Sequence, residues 1–169
     1  MRVLRPMVEE DLDEVLLLQR EASIVALGHI FPQDQHPFPD DEVRKRWTEE
    51  IASSDVDCFL VLGPQGDAAG FAATRADELL HFGTAIQLWG SGLADRAHEE
   101  ILDHLRGKGF AEAWLRVFEE NHRGRRFYER RAWVETGERT RTSFAPHPVL
   151  VHYVRPLLPG DQVCPQPRW

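Results

Sequence analysis

Apolar residues alternate between two spacings along this chain, and the changes of spacing mark its elements. Val3-Leu4-Arg5-Pro6 reads as a short strand stopped by proline. Leu12, Val15, Leu16 and residues 19–22 then recur at helical spacing, after Glu9, Glu10 and Asp11, which favour a helix N-terminus. Gly28 is expected to end that helix. Residues 29–40 hold three prolines and two histidines and read as an ordered loop. A second helix, about 41–53, carries Val43, Trp47 and Ile51 on one face. Cys58–Leu62 and Ala69–Thr74 are strands joined by Pro-Gln-Gly-Asp turn chemistry, which makes a hairpin. Glu78–Phe82 is a further strand. Ala94, Ala97, Ile101, Leu102 and Leu105 form the stripe of a third helix ending near Gly107-Lys108-Gly109. Ala113–Phe118 is a strand, residues 123–131 a short helix, and 133–141 and 149–154 closing strands. The order is β-α-α-β-β-β-α-β-α-β-β, a mixed α/β fold with helices covering a sheet. The chain divides into a domain over residues 1–155 and a proline-containing tail over 156–169.

Charge adds an asymmetry. The formal net charge is −8, and residues 1–57, with 14 acids against 6 bases, account for all of it. An acidic chain is not expected to have nucleic acid as its partner. Bases of the later part concentrate at Arg116, Arg123, Arg125, Arg126, Arg130 and Arg131. No apolar run approaches the ~20 residues that span a bilayer, and no signal peptide is recognisable, so a cytoplasmic protein without a membrane partner is expected. Cys58 and Cys164 are too few and too far apart for a zinc site or disulfide framework. The eight histidines show no metal-ligand spacing, and no metal is expected.

Three segments carry chemistry. Trp89-Gly90-Ser91-Gly92-Leu93-Ala94 is a glycine-rich turn running into a helix. Such a turn lets backbone N–H groups approach a phosphate, and the helix dipole favours the anion. Asn121 follows the next strand, and Phe127-Tyr128-Glu129 follows Asn121. Tyr128 supplies a phenol that stays protonated at neutral pH and can act as a proton donor.

These segments, in this order, resemble the GCN5-related N-acetyltransferase (GNAT) family over roughly residues 2–155. The family's acetyl-CoA signature is Gln/Arg-x-x-Gly-x-Gly/Ala; Gly92 and Ala94 match it, while Trp89 replaces the usual Gln or Arg and Ser91 a usual base. Asn121-x-x-Gly124-x-x-Phe127-Tyr128-Glu129 is similar to the family's Asn-x-x-Ala-x-x-Phe-Tyr-Glu, and Ala132-Trp133 stands where a Gly-Phe pair is common.

The resemblance implies a mixed, mostly antiparallel central sheet with helices on both faces, and acetyl-CoA as acyl donor. It places the pyrophosphate on residues 89–94, with Gly90 and Gly92 giving clearance and Leu93 and Ala94 opening the helix. It lays the pantetheine along His81-Phe82-Gly83, with Asn121 as an amide contact. Arg125, Arg126 and Arg130 are candidates for the adenosine 3′-phosphate. Asp95 would repel phosphate and is expected to face solvent. Tyr128 would protonate the departing thiolate. Glu78, His81 and His29 stand as alternatives for the general base.

The expected activity is direct transfer of an acetyl group to a primary amine. A cationic small molecule is expected, entering against residues 23–47, because a groove lined with one sign of charge concentrates the other. Asp34, Asp40, Asp41 and Glu42 would supply charge there, and His29, Phe31 and Phe38 the walls. The competing reading is a non-catalytic acyl-CoA-binding module of the same fold. A P-loop hydrolase is excluded, because the glycine turn lacks a Gly-Lys-Ser/Thr ending. Either a monomer or a homodimer is compatible with the chain.

Overall fold

A computed structural model describes residues 1–157. Seven strands, β1 (Leu4–Pro6), β2 (Val56–Leu62), β3 (Ala68–Arg75), β4 (Glu78–Thr84), β5 (Glu112–Phe118), β6 (Val134–Arg141) and β7 (Val149–Pro156), form one sheet in the order β1-β2-β3-β4-β5-β7-β6. The helices are α1 (Leu12–Leu27), α2 (Asp40–Ala52), α3 (Leu93–Gly107) and α4 (His122–Glu129). Every predicted element is present, with ends displaced by a few residues. Two short 3₁₀ turns, Glu9–Asp11 and Ile86–Leu88, are additional. β7 runs through Pro156, and Leu157 is buried behind it. The expected tail, with Cys164, otherwise lies outside the described residues.

The sheet is antiparallel everywhere except between β4 and β5, where α3 makes the crossover that parallel strands require. That parallel contact is a single register pair, Glu78 with Trp114. Beyond it the strands part. β4 pairs Leu79 with Thr74 and His81 with Ala73 of β3, so Leu80 is an extra, bulged residue. A bulge bends its strand and ends pairing. The sheet is therefore forked, with β1–β4 on one side and β5–β7 on the other.

Alternation along the strands sorts the apolar residues into cores on both faces. Leu12, Val15 and Leu16 of α1 and Val43 and Trp47 of α2 pack on Cys58, Leu60, Phe71 and Ala73. On the other face Ile101, Leu102 and Leu105 of α3 pack on Ala72 and Leu79 from one side of the fork, and on Ala113, Leu115, Val117, Val151 and Tyr153 from the other. These three α3 side chains are fully buried. At about 1.5–3 kcal/mol for each buried aliphatic side chain, α3 is the main connection across the fork. Glu100 of the same helix accepts hydrogen bonds from the amides of Val3 and Leu4, both at 2.8 Å, and so fixes the first strand. Among the described residues no helix is long and apolar enough to cross a membrane.

Candidate active site

The fork opens into a cleft of about 700 Å³. Phe82, Gly83 and Thr84 of β4 line one wall, and α4 with Asn121 lines the other. On that side β4 has lost its strand partner, so its backbone groups face the cleft rather than β5. An extended polar ligand can replace the missing strand.

The glycine turn closes the cleft at the start of α3. Gly90 and Gly92 sit at φ +79° and +88°, the left-handed region that side chains disfavour, and a Cβ built on either meets nothing within 4 Å. The open space therefore lies directly over the turn. The Ser91 hydroxyl donates to the Leu88 carbonyl (2.6 Å), and Ala94 and Asp95 present the first turn of α3 to the cleft. First-turn amides have no intrahelical acceptor, which suits them to an anion. Leu93 turns its side chain into the core beside Val3, Val61 and Ala97, so only its backbone belongs to the turn.

Four arginines, Arg123, Arg126, Arg130 and Arg131, line the α4 wall. The Arg123 guanidinium lies 3.8 Å above the Trp89 ring, and Trp89 Nε1 donates to the Thr84 carbonyl (3.1 Å). The indole thus holds a cation at the turn, where the motif's usual basic residue is missing. Asp95 is solvent-exposed, as expected, but it stands at the border of the cleft, where Arg131 pairs with it and offsets its repulsion of an anion.

Tyr128 lines the same cleft, edge-on to Phe127 and Trp133. Burial pushes its phenol well above the ordinary value, so the group is held protonated at neutral pH. Asn121 lines the cleft and also caps α4, its Oδ1 accepting from the Gly124 amide at 3.0 Å.

A second cavity of about 420 Å³ adjoins the first. Gln19, Ser23 and Leu27 of α1 line both, forming a shared wall. Phe31 and Phe38 line this cavity as expected, joined by Phe118 and Phe144. Its charged side chains are Glu42 and Arg46, with His36 at the loop.

Several expected site residues lie elsewhere. Arg125 is turned away from the cleft: it donates to Tyr153 Oη (2.9 Å), the Glu119 carbonyl (3.0 Å) and Glu135 Oε2 (3.0 Å), so it braces α4 against the sheet. Glu78 is buried at the closed end of the fork between Arg116 (3.2 Å) and Arg75 (3.5 Å) and lines neither cavity. His81 points to the α2 face, because its neighbour Phe82 takes the cleft face. Its Nε2 contacts both Glu50 carboxylate oxygens (3.0 and 2.8 Å), and its ring packs on Trp47. Burial lowers its pKa despite that carboxylate. His29 is exposed, bonded to the Glu120 carbonyl (2.7 Å) and stacked on His122. Asp34 is exposed, Asp40 approaches Arg20 (3.8 Å), and Asp41 is exposed; of the four acids only Glu42 lines the second cavity.

Thr84, Gln19, Ser23 and Arg46 were not anticipated. Arg46 did leave a trace in the sequence: it lies three residues after Val43 and one before Trp47, on the stripe that α2 buries, where a charged residue is out of place.

The profile of the acetyltransferase (GNAT) family matches residues 19–133. No curated protein matches the chain in sequence. Among solved structures, spermidine N-acetyltransferase from Vibrio cholerae, in complex with CoA and spermine, is 18% identical, with a TM-score of 0.68 over 91% of this chain and 94% of that one. PaiA N-acetyltransferase from Thermoplasma acidophilum, in complex with coenzyme A, is 15% identical, with a TM-score of 0.65 over 88% and 96%. Apo YjaB from Escherichia coli is 14% identical, with a TM-score of 0.69 over 89% and 95%. The forked sheet, the glycine turn and the matched profile make this chain a member of the acetyltransferase (GNAT) family.

Proposed function

We propose that the protein transfers an acetyl group from acetyl-CoA directly to a primary amine. The observation that carries this reading is the fork itself. One continuous cleft brings together an unpaired stretch of β4, a glycine turn with open space above it, an arginine-lined wall and Tyr128. An acyl-CoA has the matching parts: an amide-bearing pantetheine arm for β4, a pyrophosphate for the turn at 90–95, and further phosphate for the arginines. Arg123 on Trp89 supplies charge at the turn.

The amine enters from the second cavity and meets the thioester at the wall formed by Gln19, Ser23 and Leu27. As a free base, its nitrogen lone pair forms the new C–N bond at the thioester carbon. Collapse of the adduct breaks the C–S bond, and the sulfur leaves with the bonding pair. Tyr128 Oη gives its proton to that sulfur, and the nitrogen's surplus proton passes to water in the open acceptor cavity. The phenolate then recovers a proton from solvent. Cys58 is not an acyl carrier in this scheme: it is buried on the sheet, and burial pushes its thiol up to about 12.

Calorimetry with acetyl-CoA, followed by thiol release with amino acids, arylamines, polyamines and aminoglycosides, tests the proposal. Binding together with amine-dependent thiol release is the expected result. Binding with no thiol release from any amine would leave a non-catalytic acyl-CoA-binding module, and no binding would overturn both.

A further inference from the structure

Arg46 is the unusual residue of the second cavity. It projects from the buried stripe of α2, where its neighbours in that stripe are Val43 and Trp47. Its Nε is buried without a hydrogen-bond partner, and its guanidinium makes no ion pair among the described residues. The guanidinium carbon lies 5.8 Å from the centre of the Phe144 ring. Glu50, one turn later, favours its charge but only from beyond ion-pair distance. Both oxygens of Glu50 contact His81, and Glu42, one turn earlier, stays beyond ion-pair distance. A guanidinium does not give up its proton in a protein, so a partly buried one needs a counter-charge. Burial lowers its pKa, which records the same cost.

We propose that the acceptor is an amine that also bears a carboxylate, with that carboxylate seated on Arg46 and an apolar body against the phenylalanines of the cavity. The inference rests on the acetyl-CoA-dependent reading above and names the substrate class of that same site. A carboxylate matches the guanidinium fork and can pair with it through two hydrogen bonds. Phe31 and Phe38 of the loop between α1 and α2, Phe118 at the end of β5 and Phe144 between β6 and β7 leave an apolar wall around the single guanidinium. The shared wall at Gln19 and Ser23 gives the amine its way to the donor cleft. One guanidinium and one carboxylate complement an amino acid. They do not complement a polyamine, which would need a row of acids, and the acids of the first third are dispersed over the surface instead.

Matched pairs test this without any variant: leucine against isoamylamine and leucinamide, and phenylalanine against phenethylamine, in the thiol-release assay, with spermidine as a further arm. The amino acids should show a KM lower than their carboxylate-free partners by about tenfold or more, the scale of a charge-assisted hydrogen bond. Arg46→Gln should remove that preference by raising the KM of the amino acids, with the calorimetric affinity for acetyl-CoA, bound in the other cleft, unchanged. Arg46→Lys should keep part of it. Saturation-transfer NMR of N-acetylleucine on wild-type and Arg46→Gln protein reads the same contact without turnover; the signal should be lost in the variant. Failure of acetyl-CoA to bind overturns the parent reading. With acetyl-CoA bound, this inference is overturned by equal use of leucine and isoamylamine, by preference for spermidine, or by no turnover of any amino acid.

Discussion

Trp47 Nε1 donates to Gln19 Oε1 at 2.8 Å, joining α2 to α1 at the wall that both cavities share. An indole nitrogen can only donate, so the bond fixes which end of the Gln19 amide faces inward. The carbonyl is held by Trp47, and the NH₂ group is left for the junction of the two cavities, where the proposed mechanism brings amine and thioester together. Trp47→Phe keeps a ring in the core but removes the donor. It should cost about 1–3 kcal/mol by denaturant titration, raise the acceptor KM severalfold, and leave acetyl-CoA affinity unchanged by calorimetry. An unaltered acceptor KM would make Gln19 a packing residue only.

Gly92 stands at φ +88° beneath open space. Gly92→Glu introduces backbone strain of about 1–3 kcal/mol and an anion where phosphate is expected. Calorimetry should show no detectable acetyl-CoA binding, while circular dichroism reports a retained fold. Gly92→Ala separates the two effects, because it carries the strain without the charge and should bind measurably, though more weakly.

Tyr128→Phe removes only the phenolic oxygen from a ring held between Phe127 and Trp133. The expected loss in kcat is ~10²–10⁴-fold, the range for a general acid, with the acetyl-CoA KM nearly constant. Wild-type turnover in this variant would assign the proton transfer to another group.

His98 is fully buried; its Nε2 accepts from Trp133 Nε1 (2.9 Å), and the nearest carboxylate, Glu99, is 3.6 Å from Nδ1, beyond hydrogen-bond reach. Burial lowers its pKa from 6.5 to about 4. The unfolded chain therefore takes up this proton first. Stability should fall as the pH drops from about 6.5 towards 4 and then level off on this account. The whole step is about 3 kcal/mol, at 1.36 kcal/mol for each pKa unit. His81, lowered in the same direction, adds to it. Urea midpoints between pH 7.5 and 4 measure the trend. His98→Gln keeps an acceptor for Trp133 without a titrating ring and should flatten the curve.

The elements were legible because each carries its own period and its own stop: the α3 stripe ending at Gly107, or the Pro64–Asp67 turn between β2 and β3. The grouping of the glycine turn with Asn121 and Tyr128 was legible for the same reason. Gly90, Gly92, Asn121 and Tyr128 belong to contiguous segments whose local geometry brings them to one cleft. The orientation of residues that depends on pairing across the sheet was not legible. Glu78 and His81 lie on the expected strand, but the Leu80 bulge and the charges of Arg116 and Glu50 decide where they point. Arg125 has the same composition and spacing as its cleft-lining neighbours, and only Tyr153 and Glu135, on distant strands, separate it from them. The acidity of the first third proved a poor guide to its cavity, since net charge is summed over a segment and a cavity is lined by whichever few side chains turn inward.

The single register pair between Glu78 and Trp114 gives the sheet the mechanics of a clothes peg. The two halves are pinned at one end, where Trp114 Nε1 also donates to Asp77 Oδ1 at 3.1 Å and Arg116 reaches Glu78. They spread at the other end, with α3 as the spring across them. This pin lies several residues along β4 from Phe82, Gly83 and Thr84, which line the cleft. Glu78, buried between Arg116 and Arg75, lines neither cavity, and loosening it is expected to change the width of the cleft without changing a single lining residue.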